Sequence, residues 1–163
     1  MEHQTQHNSI VPTSIQLLFN NEKLDIMKFL CLMNALSNTS NKQRKIEELL
    51  FYYSLVNFDL IYFFKGNLEE KVEVAPSSNQ YFRFQTKIND ILLAMSHLEF
   101  IEIKGEISNK LDELKVKLLK PGKVFFEENC TEYFRDMIDK YIIAHEEIKF
   151  SPDNAKKLKE GKY

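Results

Sequence analysis

The side chains able to move protons, attack carbon or hold a metal are scattered along this chain rather than grouped. Its four histidines, His3, His7, His97 and His145, fall in four separate settings. There is no HExxH, no GxSxG, no phosphate-cradling glycine loop and no dinucleotide fingerprint. The carboxylate pairs Glu47-Glu48, Glu127-Glu128 and Glu146-Glu147 sit on helix surfaces or helix starts, where solvation is their ordinary state. His145 lies beside Glu146 and Glu147, but charge patterning on a helix accounts for that neighbourhood. Cys31 and Cys130 belong to no CxxC or Cys/His ligand spacing and read as reduced structural thiols. The expectation is a non-catalytic chain with no cofactor, no metal and no small-molecule substrate.

Residue types suited to nucleic acid do converge, on one stretch. In Tyr81-Phe82-Arg83-Phe84-Gln85-Thr86-Lys87-Ile88-Asn89-Asp90-Ile91-Leu92-Leu93-Ala94-Met95-Ser96-His97-Leu98, the helical period leaves Arg83, Gln85, Thr86, Lys87, Asn89, Asp90 and Ser96 off the core side. Arg, Gln and Asn make bidentate contacts to base edges in a major groove, and Thr and Lys hold phosphate. The segment that follows carries Lys104, Lys110, Lys115, Lys117, Lys120 and Lys123 against Glu102, Glu106, Asp112 and Glu113, a weakly basic surface. The candidate DNA-contact set is therefore Arg83, Gln85, Thr86, Lys87 and Asn89, with Lys115 and Lys117. Against it stand Asp90 and Glu99, which repel phosphate, and a net charge of −2, low for a protein that neutralises many phosphates.

These residues need a helix followed by a hairpin to present them. Phe100-Ile101-Glu102-Ile103-Lys104-Gly105 alternates as a strand, and Leu114-Lys115-Val116-Lys117-Leu118 answers it across a polar tip. Lys120-Pro121-Gly122-Lys123 reads as a turn closing the hairpin. Upstream, Asn20-Asn21-Glu22 is a cap that opens a helix from Lys23 to about Ser37. After the turn Ser37-Asn38-Thr39-Ser40-Asn41, a second long helix runs from Lys42 to about Phe64, bent near Asn57. Gly66 suits its left-handed cap. A connector over 67–79 includes Lys71-Val72-Glu73-Val74 as a short strand. Downstream, Asn129 or Thr131 caps a helix from Glu132 to about Lys149, and Ser151-Pro152-Asp153 starts a last short helix. The expected fold is α+β, mostly helical: a winged helix-turn-helix with extra N- and C-terminal helices. Residues 1–19 form a flexible segment with a short leading helix, 20–150 the winged-helix-like domain, and 151–163 a lysine-rich solvated tail.

Thirteen Phe and seven Tyr are a high aromatic load, so some rings are candidates for a contact surface. The second long helix concentrates them in more positions than one apolar stripe of about 100° accommodates. Two placements stay open for it: a central helix packed on several sides, or an exposed partner interface of Phe51, Tyr52, Tyr53, Phe58, Tyr62 and Phe63. Ser54, Asn57 and Asp59 interrupt this stretch, so it does not read as a membrane span. The polar N-terminus lacks the features of a signal peptide, and a cytoplasmic protein is expected.

Three segments carry a family resemblance: Lys23-Leu24-Asp25-Ile26-Met27-Lys28-Phe29-Leu30, then Arg44-Lys45-Ile46-Glu47-Glu48-Leu49-Leu50-Phe51-Tyr52-Tyr53, then Ile91-Leu92-Leu93-Ala94-Met95-Ser96-His97-Leu98-Glu99-Phe100-Ile101 with its hairpin. Over roughly 20–150 the layout resembles the small middle component of ABC-type three-component bacterial antiviral defence systems, the Lamassu group among them. The resemblance rests on hydrophobic pattern. It implies a non-catalytic accessory subunit between an SMC-like or Rad50-like ATPase and an effector nuclease, with double-stranded DNA as a further ligand. Leu92 to Lys123 is also similar to many winged-helix regulators, and the alternative reading is a DNA-binding transcription regulator acting as a homodimer.

Overall fold

The computed structural model describes residues 21–65, 78–105 and 110–161. Seven helices among them surround a small sheet, an α+β arrangement that is mostly helical. Helix α1 (Glu22–Thr39) starts where the sequence places its cap, with the Asn21 side chain accepting a hydrogen bond from the Leu24 amide at 3.0 Å. Its middle, from Phe29 to Leu36, is buried on every side. Such a helix is stable only at the centre of a core, and α1 indeed packs against helices on several sides and against the sheet.

The chain then forms strand β1 (Arg44–Lys45) and helix α2 (Ile46–Asn57). The expected single helix from Lys42 to Phe64 is thus corrected at both ends. Asp59 adopts φ +52°, and the Leu60 amide reaches back to the Leu55 carbonyl at 2.9 Å, which closes α2 with a left-handed cap. A separate short helix α3 (Ile61–Lys65) follows, held to the far side of the molecule by the Lys65–Glu147 ion pair. Helix α4 (Ser78–His97) ends in the same manner. Glu99 sits at φ +56°, and the Phe100 amide bonds the Met95 carbonyl at 2.9 Å, turning Phe100 into the core.

Strands β2 (Ile101–Lys104) and β3 (Lys115–Leu118) pair antiparallel, with a 3₁₀ turn (Leu111–Glu113) before β3. Strand β1 adds to the other edge of β3, giving the order β1-β3-β2. The alternation splits the sheet cleanly. Arg44, Val116, Ile103, Ile101 and Leu118 face inward, whereas Lys45, Lys115, Lys117, Lys104 and Glu102 face out. Arg44 is a charge taken into the core, satisfied by Glu48 at 2.5 Å and by the Leu36 carbonyl at 3.2 Å. A charged group there is tolerable only with partners of this kind.

Residues 120–123 do not form the expected turn. They are the first turn of helix α5 (Lys120–Asn129), with proline in the position that needs no amide donor. Gly122 serves close approach instead of a turn, because a Cβ there would lie 2.6 Å from the Phe100 carbonyl oxygen. Thr131 is the N-cap residue of helix α6 (Glu132–Glu147), and Ser151 caps helix α7 (Pro152–Glu160) by accepting from the Asn154 amide. The lysine-rich tail is therefore a packed helix. Ala155 and Leu158 are buried, and Lys159 pairs with Glu47 at 2.9 Å. The expected leading helix in 1–19, the strand at 71–74 and the Gly66 cap lie outside the described residues.

Candidate docking and nucleic-acid surfaces

The aromatic set of α2 divides sharply between inside and outside. Phe51, Tyr52 and Tyr53 are core residues, at 1–3% exposure. Phe51 meets Tyr52, Phe64 and Phe150 edge-on, and Tyr53 stacks on Phe84 with ring centroids 3.8 Å apart. The Tyr52 hydroxyl donates to the Ile148 carbonyl at 3.0 Å and accepts from the Phe150 amide at 3.1 Å, so it ties α2 to the segment joining α6 and α7. Burial raises the pKa values of both tyrosines and keeps their phenols protonated. These three rings are no contact surface for another protein. The physical reason is that α2 lies between other elements, so no face of its middle is left over. Phe58 and Phe63 are half-buried, and Tyr62 alone of the six stands well out, at 59% exposure.

Helix α4 places its candidate residues on a different footing. Phe84, Ile88, Ile91, Leu92 and Met95 form its buried stripe. Arg83, Thr86, Lys87 and Asn89 are exposed and Gln85 is half-buried, so most of the expected polar set does share the outer side. Thr86 turns its hydroxyl back onto the Arg83 carbonyl at 2.7 Å, which commits its proton to its own helix. Two residues that the sequence reading passed over dominate this side. Phe82 is 50% and Leu93 is 57% exposed. With Thr86 and Asn89 they follow a spacing of four, three and four, which sets them on one stripe of the helix. That spacing is the signal from which they can be found.

Beside the stripe, α4 and the first turn of α1 enclose an open groove of about 620 Å³. Ile91, Leu93 and Ala94 supply its apolar lining, and Glu22, Asp25 and Asp90 set three carboxylates against Lys87 and His97. Lys87 thus stands in an acidic rim, where the phosphates of a duplex would be repelled. Lys115 and Lys117 are not part of this face. They lie on the outer side of the sheet, with Lys115 exposed and Lys117 half-buried. The structure therefore separates the expected DNA-contact set into two places.

His145 packs against the Tyr52 ring at 5.2 Å. Burial, and then the Arg44 guanidinium, lower its pKa, with Glu48 working in the opposite direction. Cys31 is buried and donates to the Phe134 carbonyl at 3.4 Å, and burial, with Cys130 adding to it, pushes its thiol up to about 12. Among the described residues, no group of three or more His, Cys, Asp or Glu side chains converges to hold a metal, and no helix is long and apolar enough to cross a membrane. No family model matches this chain, and no curated protein or solved structure matches it either.

Proposed function

We propose that this chain is a non-catalytic adaptor on a winged-helix scaffold, docking a protein partner through the outward face of α4. The observation that carries the reading is the exposure of Phe82 and Leu93 along one stripe of that helix, next to an apolar groove with an acidic rim. A helix that reads base edges presents polar groups to a groove. Large apolar side chains held in water at the same positions favour burial against another protein. The scaffold is supported by the order helix, strand, two helices, a third helix and two strands, with a sheet ordered β1-β3-β2. One feature departs from a simple helix-turn-helix: 20 residues (58–77) separate α2 from α4, where the motif uses about three or four. The resemblance to the middle component of three-component defence systems supplies the class of partner, an SMC-like or Rad50-like ATPase acting with a nuclease.

The test is co-expression with an SMC-like ATPase and a nuclease encoded beside it, followed by size-exclusion chromatography. The wild type is expected to co-elute with the ATPase. Phe82→Asp combined with Leu93→Asp is expected to elute alone with an unchanged helical circular-dichroism spectrum. Co-elution of that variant in full yield would overturn docking through α4. A wild-type homodimer with a sequence-specific footprint would replace the adaptor with a transcription regulator.

A further inference from the structure

The strand register places three lysines in one line. Lys45 on β1 is opposite Lys115 on β3, and Lys115 is opposite Lys104 on β2. All three are exposed on the outer face of the sheet, and Lys117 follows on the same face across from Glu102. Neighbouring strands are about 4.8 Å apart, so the Cα atoms of the row span about 10 Å. Like charges directly opposite one another across a ladder are destabilising. Glu102 reaches only Lys104, at 3.6 Å, and no carboxylate among the described residues pairs with Lys45, Lys115 or Lys117. The fold thus carries a cationic row that works against its own sheet.

We infer that this outer sheet face binds the phosphate backbone of duplex nucleic acid, independently of sequence and of the docking face on α4. The composition of the face selects among polyanions. None of the exposed large apolar residues of the described chain lies on it. A surface that enters a lipid interface pairs its basic residues with such side chains, and a single-strand site stacks bases on aromatic rings. Lysines alone, on a flat three-stranded platform, match a backbone that presents only charge. The acidic groove on α4 and the net charge of −2 keep the interaction weak and strongly salt-dependent. Three unpaired lysines neutralising three phosphates give a slope of log K against log salt of about −3.

The test titrates two short labelled duplexes of unrelated sequence with the full chain by fluorescence anisotropy, from low to physiological salt. The wild type is expected to bind both alike with that slope. Lys45→Gln, Lys115→Gln and Lys117→Gln together are expected to weaken binding at least about tenfold at low salt and flatten the slope towards zero. Arg83→Glu with Lys87→Glu is expected to leave the affinity within about twofold. Lys115→Gln alone separates function from structure: it removes the central like charge, so its thermal midpoint is expected to be no lower than that of the wild type while binding falls. The inference is overturned if the triple variant keeps the wild-type affinity and slope, or if Lys115→Gln unfolds earlier without losing binding. It is equally overturned if the single strand, or phosphatidylserine-containing vesicles, bind better than the duplex.

Discussion

Replacing Tyr52 by phenylalanine removes one oxygen atom and keeps the ring, so it measures the hydroxyl alone. That hydroxyl joins two backbone groups, donating to the Ile148 carbonyl and accepting from the Phe150 amide. Ile148 is buried, and its carbonyl would lose this partner inside the protein, at a cost of about 1–3 kcal/mol. Phe150 is only half-buried, so water can compensate its amide in part. The expected loss is about 2 kcal/mol, or about 4–8 °C in Tm for a chain of this size. Urea unfolding followed by far-ultraviolet circular dichroism is the assay, with an unchanged slope showing that the same surface is exposed. Tyr62→Phe, on a ring 59% exposed, is the control and should stay within about 0.5 kcal/mol. If Tyr52→Phe is as mild as Tyr62→Phe, the clamp is not formed and the assignment of this stretch of α2 to the core fails.

Three other outcomes follow from the packing. Gly122→Ala forces a methyl against the Phe100 carbonyl and should cost about 1–3 kcal/mol in the same assay, whereas an unchanged midpoint would mean that α5 does not press on that backbone. His145 has a folded pKa below its ordinary value, so the unfolded chain binds its proton more readily. Stability should therefore fall as pH drops through about 6.5 towards the folded pKa, and His145→Gln should remove that part of the dependence in pH-resolved thermal melts. Cys31 should resist a thiol reagent at mildly alkaline pH in the native protein while Cys130, which is only partly covered, reacts; in denaturant both should react, and rapid native labelling of Cys31 would contradict its burial.

Local chemistry made several elements legible before any coordinates. Asn21 and Ser151 are caps by residue type, and the alternation of 101–104 and 115–118 reads directly as a hairpin. What failed was whatever depends on tertiary partners. Phe51, Tyr52 and Tyr53 look like surplus rings until α6, Phe84 and Phe150 close around them. Pro121-Gly122 signals a turn by composition, yet proline suits a helix start equally well, and the glycine answers to Phe100, more than twenty positions away. The end of α2 at Asp59 needs a left-handed residue that is not glycine, which no spacing reveals. The lysine row was half visible: Lys115 and Lys117 alternate in sequence, but only the pairing of two-residue β1 brings Lys45 into line.

Docking through α4 is the central claim, and the affinity of the chain for an SMC-like ATPase measured by calorimetry tests it most directly. Leu93→Asp should weaken binding by at least about thirtyfold, the size of an interface hot spot of about 2 kcal/mol, while Tyr62→Asp on α3 stays near the wild type. Wild-type affinity in Leu93→Asp, with loss in Tyr62→Asp, would move the interface to α3 and contradict the account.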